Sequence, residues 1–196
     1  MNASTLYTDP QKASQKASMR AALLFGRWWT ITALIASLAL LMTAHAFQKF
    51  GGLDPCHLCL KQRDIYWIAV VVSLIASVWA LFTGAKGPPR VFAFVLFAIF
   101  ATGAALALFH AGVELKWWPG PETCTGGGDD ISIDSMAALL SGAPITIPQC
   151  DVIAWKMWGL SMAGWNAIIS AILAVLSFIA SLRLKYFFRR PKNLTK

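Results

Sequence analysis

IYWIAVVVSLIASVWALFTGAKGPPRVFAFVLFAIFATGAALALF, residues 65–109, decides the fold. It holds two uncharged apolar runs, Ile65 to Phe82 and Val91 to Phe109. Each is close to the ~20 residues a helix needs to cross the hydrocarbon core of a bilayer. Inside lipid every backbone N–H and C=O must be paired within its own segment, so both runs are predicted as helices. The link between them, with Gly84, Lys86, Gly87, Pro88 and Pro89, suits only a tight connection between antiparallel neighbours.

Two more runs flank this hairpin, Leu23 to Phe47 and Met162 to Leu182. The chain is 57% hydrophobic and 13% charged, where a soluble domain carries about 25% charged residues. The expected fold is therefore an all-α integral membrane protein, a four-transmembrane-helix antiparallel bundle in the lipid bilayer. Its spans are 23–47, 65–82, 91–109 and 162–182, joined on one side by loops 48–64 and 110–161. Residues 1–22 are polar without apolar period and are expected as a mobile tail; residues 183–196 form a basic tail. Ala44-His45-Ala46 resembles a signal cleavage site, but the preceding apolar run exceeds the about 7–15 residues of a signal core, so the run is taken as an uncleaved span.

Lys and Arg set the orientation. Residues 1–27, 83–90 and 183–196 hold four, two and six of them, and the two remaining connections with their flanks hold five. Eight of the nine acidic residues lie with the five. Both termini are thus expected in the cytoplasm, with 48–64 and 110–161 facing outward. The net charge of +8 is a topology signal. No soluble basic face exists for nucleic acid, so none is expected as a partner.

In the second loop, Ile133, Met136, Ala137 and Leu140 fall at helical spacing behind Ser132, a plausible N-cap. They predict a short amphipathic helix, on the membrane surface or packed on the loop. Gly126-Gly127-Gly128 precedes it as a flexible stretch. Most of the nine Trp sit near span ends, as an interfacial belt does. Small residues recur four apart in Ala33/Ser37, Gly103/Ala107 and Ser170/Ala174, which lets helices approach closely.

All four cysteines lie on the outward side: Cys56 and Cys59 where the first loop meets span two, Cys124 and Cys150 in the second loop. An oxidising compartment lets disulfides persist there. Two structural disulfides are one reading. A bridge across the second loop would contribute roughly 3 kcal/mol in the chain-entropy model. A C-x-x-C bridge closes almost nothing, and that spacing is more often redox-active or metal-binding. Zinc prefers two close pairs of ligands, and Cys124 and Cys150 are far apart in sequence, so no metal is expected. Span two begins near Cys59, which places that sulfur at a helix N-terminus, where the dipole favours a thiolate. Arg63 lies one turn further along the same face. His57 lies between the cysteines and is as well explained as a solvated loop residue. His110 sits at the outward end of span three, level with Arg63.

The stretch Pro55-Cys56-His57-Leu58-Cys59-Leu60-Lys61-Gln62-Arg63 resembles the signature of the DsbB family, a C-x-x-C after the first span with Arg four residues past the second Cys. The further pair Cys124 and Cys150 fits, and so do Trp158-Gly159-Leu160-Ser161 and Trp165-Asn166 at the start of span four. The resemblance covers about residues 24–182. The Gly-rich 126–128 stretch departs from it locally.

That resemblance implies a bacterial inner-membrane thiol:quinone oxidoreductase. A DsbA-like periplasmic thioredoxin-fold protein, reduced, would attack Cys124 of a Cys124–Cys150 disulfide. Electrons would pass to Cys56–Cys59, and from Cys59 to ubiquinone or menaquinone. Arg63 would stand at the quinone head with His110 and Leu106 nearby, Leu106 being one turn before His110. DsbA is a strongly oxidising thiol couple, so its re-oxidation needs an acceptor stronger than glutathione. Two other readings stand beside this one. A vitamin K epoxide reductase-like enzyme carries its quinone-side C-x-x-C in a late span, unlike this chain. A non-catalytic membrane protein with structural disulfides is the other.

Overall fold

The computed structural model describes residues 10–83, 90–121, 124 and 149–188, with side chains described from 28 to 182. Four helices carry the fold: α1 (Pro10–Gly51), α2 (His57–Thr83), α3 (Arg90–Glu114) and α4 (Met162–Phe188). Each contains a stretch long and apolar enough to cross a membrane: Trp28–Gly51, His57–Thr83, Arg90–Glu114 and Met162–Leu182. The expected four-helix bundle is the observed one. The expected helix near Ile133 and the glycines at 126–128 lie outside the described residues.

Three boundaries differ from expectation. The helix of α1 begins at Pro10, inside the segment expected as a mobile tail. Proline suits the first helical position because its φ is already helical and its missing N–H has no partner there anyway. The Gln, Lys, Ala, Met and Arg that follow are good helix formers. α2 begins at His57, eight residues before the expected 65, and the first connection shrinks to residues 52–56. Lys61, Arg63 and Asp64 interrupt the apolar run but not the helix. α3 likewise runs to Glu114, past the expected 109.

The bundle is inside-out relative to a soluble protein. Only 22–39% of each apolar window is buried, and Ile68, Val71, Leu74, Ile75, Val78 and Phe82 of α2 face outward, where lipid takes the place of a core. Small residues fill the interior. Ala33, Ser37, Gly103, Ala107, Ser170 and Ala174, the pairs noted in the sequence, are all buried. At Gly103 an added Cβ would lie 3.3 Å from Ile65 and 3.6 Å from Ser170 Oγ, so α2 and α4 both press on α3 there. Phe100, Leu96 and Trp29 fill the wider spaces; Trp29 is thus a core residue and no part of an interfacial belt. Several buried hydroxyls bond their own helix, as Ser73 Oγ does to Ala69 O (2.6 Å) and Ser177 Oγ to Leu173 O (2.8 Å), which pairs them within the apolar interior, while Ser37 Oγ is buried without a partner. α3 packs most closely on α4, followed by α1 on α2, α2 on α3 and α1 on α4, and the diagonal pairs touch less still.

The outward end is finished by two devices. α3 stops in a Schellman turn: Trp117 N–H donates to Gly112 O (2.9 Å), Lys116 N–H to Val113 O (3.0 Å), and Lys116 takes φ +60°. Ahead of α4, β1 (Lys156–Met157) and β2 (Leu160–Ser161) form a two-residue hairpin. Its turn residues Trp158 and Gly159 have φ +52° and +82°, the signs a type I′ turn requires. Ser161 then caps α4, accepting from Gly164 N–H at 3.1 Å.

Candidate functional site

The early start of α2 governs the site. With His57 the first helical residue, Cys56 is the N-cap. Its sulfur accepts from Cys59 N–H at 3.4 Å, and its carbonyl closes the first turn to Leu60 N–H at 3.1 Å. The helix N-terminus expected to favour a thiolate at Cys59 therefore acts on Cys56. The two free sulfurs lie 2.9 Å apart. The side-chain hydrogen bond from Cys59 is the main influence on the Cys56 thiol. With His110 it outweighs burial and brings Cys56 down to about 4.

Cys124 and Cys150 are joined in a disulfide, with Cα atoms 5.2 Å apart. Cys56, Cys124 and Cys150 are all buried in one cluster with Leu58 and Val113, and Cys59 packs against it. The two sulfur pairs, distant in sequence, thus share one pocket of side chains. Lys116 and Asp151 pair beside it and tie the end of α3 to the residue after Cys150. The Lys116 ammonium holds the Asp151 carboxyl below the usual carboxylate range.

His110 on α3 reaches the sulfurs. Its Nε2 is 3.6 Å from Cys56 Sγ and 3.9 Å from Glu114 Oε1, and the ring also has a backbone hydrogen bond with Cys150. Cys56, Cys59 and His110 offer ligand atoms all within 4.8 Å of one another, a grouping that could hold a soft metal ion. Arg63 does not turn toward Cys59. Its guanidinium donates to Gln48 Oε1 (2.6 Å) and Ala44 O (3.1 Å), fastening α2 to α1. Leu106 packs behind the sulfur cluster and is not among the cavity-lining residues.

A cavity of about 870 Å³ opens beside these groups. Cys56, Cys59, Arg63, His110 and Glu114 line it, and Leu41, Phe47, Trp155, Met162 and Ile169 give it apolar walls. Its size and its few convergent polar groups are those of a small-molecule site. Phe47 and Trp155, with ring centroids 5.1 Å apart, join α1 to the segment after Cys150 across one wall.

Four polar residues of the site were not singled out from the sequence. Gln62, Tyr66, Asn166 and Glu114 all line the cavity. Gln62 Nε2 is 2.9 Å from His110 Nδ1, Asn166 Nδ2 donates to Gln62 Oε1 at 2.5 Å, and Tyr66 OH donates to Asn166 Oδ1 at 2.5 Å. Glu114 bonds the Ser161 side chain through its carboxylate, while its Oε2 is buried without a hydrogen-bond partner. The available signal was polarity inside apolar spans, which is costly and so marks function.

Comparison with known proteins assigns the family. The sequence profile of the family described as Disulfide bond formation protein DsbB matches residues 26–180. Disulfide bond formation protein B of Marinobacter nauticus is 30% identical over 164 residues, 80% of this chain and 92% of that one. The protein of the same name from Methylococcus capsulatus is 34% identical over 135 residues, covering 65% and 76% of the two chains. Disulfide bond formation protein B 2 of Pseudomonas entomophila is 27% identical over 165 residues, covering 81% and 94%.

Proposed function

The chain belongs to the DsbB family and is a membrane oxidoreductase of disulfide bond formation, and on that premise we propose that it carries electrons from a DsbA-like periplasmic thioredoxin-fold protein to a membrane quinone. The observation that carries this reading is the shared cluster. A free dithiol, buried at Cys56 and half-buried at Cys59, packs in one cluster with a buried disulfide and opens onto a largely apolar cavity.

In the proposed route a thiolate of the reduced partner attacks Cys124, and Cys150 leaves as a thiolate. The partner's second thiol then displaces Cys124, which leaves the partner oxidised and both loop cysteines reduced. With Cys56 and Cys59 joined as a disulfide at the start of the cycle, the Cys124 and Cys150 thiols reduce it by exchange, which regenerates the Cys124–Cys150 disulfide and leaves Cys56 and Cys59 as thiols. The packing of both pairs in one cluster supports this exchange, because reacting atoms must already be near one another.

The cavity suits a quinone head: apolar walls for the ring, and Arg63 and His110 as donors for its oxygens. When bound, a quinone takes up two electrons and two protons, which balances closure of Cys56–Cys59 to a disulfide. Two guanidinium N–H groups of Arg63 are used on α1, which holds the side chain still, and the remaining donors can serve an oxygen bearing negative charge. Ubiquinone and menaquinone both fit this chemistry. The protein sits in the bacterial inner membrane with both termini cytoplasmic, so all four cysteines face the periplasm.

The test is a trapping experiment. Purified protein with its Cys124–Cys150 disulfide intact, mixed with a reduced DsbA-like donor whose second cysteine is replaced by serine, should accumulate a mixed disulfide through Cys124, mapped by mass spectrometry. A mixed disulfide found only at Cys56 or Cys59 would overturn the route.

A further inference from the structure

A chain of side-chain hydrogen bonds crosses the bundle just beneath the sulfurs. It starts at Ser170 on α4, whose Oγ is 2.7 Å from Tyr66 OH, and passes through Asn166 and Gln62 to Nδ1 of His110. The chain has a direction. Tyr66 OH donates to Asn166 Oδ1, which leaves Asn166 Nδ2 to donate to Gln62 Oε1. Gln62 then presents its amide nitrogen to His110 Nδ1. An amide nitrogen only donates, so Nδ1 accepts and the hydrogen of a neutral ring belongs on Nε2.

The other side of the ring asks for the same tautomer. Nε2 faces Cys56 Sγ at 3.6 Å and the Glu114 carboxylate at 3.9 Å. Both are acceptors when ionised. A bare Nε2 lone pair would face two anions, whereas Nε2–H offers them a donor. The network run in reverse, every amide turned, would put the hydrogen on Nδ1 and lose that match.

We propose that Gln62, Asn166 and Tyr66 are positioning residues that hold His110 as its Nε2–H tautomer, aimed at the Cys56 sulfur. Their hydrogen bonds reach the sulfur only through His110. A neutral imidazole oriented in this way stabilises the Cys56 thiolate without needing a second proton, and a buried network that is fully paired keeps one orientation. The tautomer matters to the redox reading above, which it deepens, but it is set by the protein alone.

Nitrogen NMR of ¹⁵N-histidine in the full-length protein, in detergent micelles with the cysteines reduced and no quinone present, reads the tautomer directly. His110→Asn assigns the signals. The expected spectrum has His110 Nε2 protonated and Nδ1 bare. Gln62→Glu keeps size but replaces the donor with an acceptor, so it should move the His110 Nδ1 signal into the protonated range. Asn166→Ala frees Gln62 to turn and should raise the pH midpoint of iodoacetamide labelling at Cys56 by about one to two units, the loss of one hydrogen bond to a charged sulfur. A protonated Nδ1 in the unaltered protein, or an unmoved one in Gln62→Glu, would overturn the proposal. If the tautomer is as stated but quinone is not reduced, the functional reading fails and this inference stands.

Discussion

At the scale of single residues, the site turns on which sulfur is ionised. Helix dipole, backbone amide and imidazole all converge on Cys56, with the Cys59 side chain the strongest influence. A thiol held near 4 is a thiolate above that value and a thiol below it. Labelling of Cys56 by iodoacetamide should therefore be nearly constant from pH 8 to pH 5 and fall with a midpoint near 4. An ordinary cysteine loses reactivity already below its pKa of about 8.5. A midpoint above 7, read by mass spectrometry of the labelled peptide, would contradict the assignment. The sequence made much of this legible. The C-x-x-C, Arg63 and His110 do come together at one cavity. It misplaced the thiolate by three residues because hydropathy locates where a span is apolar, whereas capping decides where a helix starts. Gln62 and Asn166 went unread because an amide carries no charge to mark it, and only geometry reveals that the two meet.

At the scale of elements, boundaries followed local chemistry more than apolarity. Lys61 and Asp64 are exposed on the first turns of α2, where the headgroup region accepts them, while Gln62 on the same turns is buried. A charge there ends an apolar run without ending a helix. The Schellman turn after α3 was likewise invisible, since Lys116 is an unusual residue for a left-handed position. The turn brings Trp118 back over Gly112: its Nε1 donates to Phe109 O at 3.0 Å and its ring stacks on Phe109 at 5.9 Å. A Cβ at Gly112 would lie 2.1 Å from Trp118 Cζ2, so the ring must move. Gly112→Ala should destabilise the protein by about 1–3 kcal/mol, with a lower thermal midpoint in detergent and a change in tryptophan fluorescence. An unchanged midpoint and spectrum would show that Trp118 does not hold this turn.

At the scale of the whole molecule, the loosest of the four seams between neighbouring helices lies between α1 and α4, and residues of both helices line the cavity. The described ends of the second loop are tied together by the Cys124–Cys150 disulfide and the Lys116–Asp151 pair, and to α1 by the contact of Trp155 with Phe47. The result joins a buried disulfide to a largely apolar cavity through one cluster of side chains. The central claim is that the Cys56–Cys59 dithiol is what a quinone oxidises. The most direct measurement mixes fully reduced protein, without oxygen, with a soluble ubiquinone analogue and follows quinol formation together with thiol loss at each cysteine. The account predicts that Cys56 and Cys59 lose their thiols as quinol appears, and that Cys59→Ser yields no quinol. Quinol formation by Cys59→Ser at the unaltered rate would contradict it.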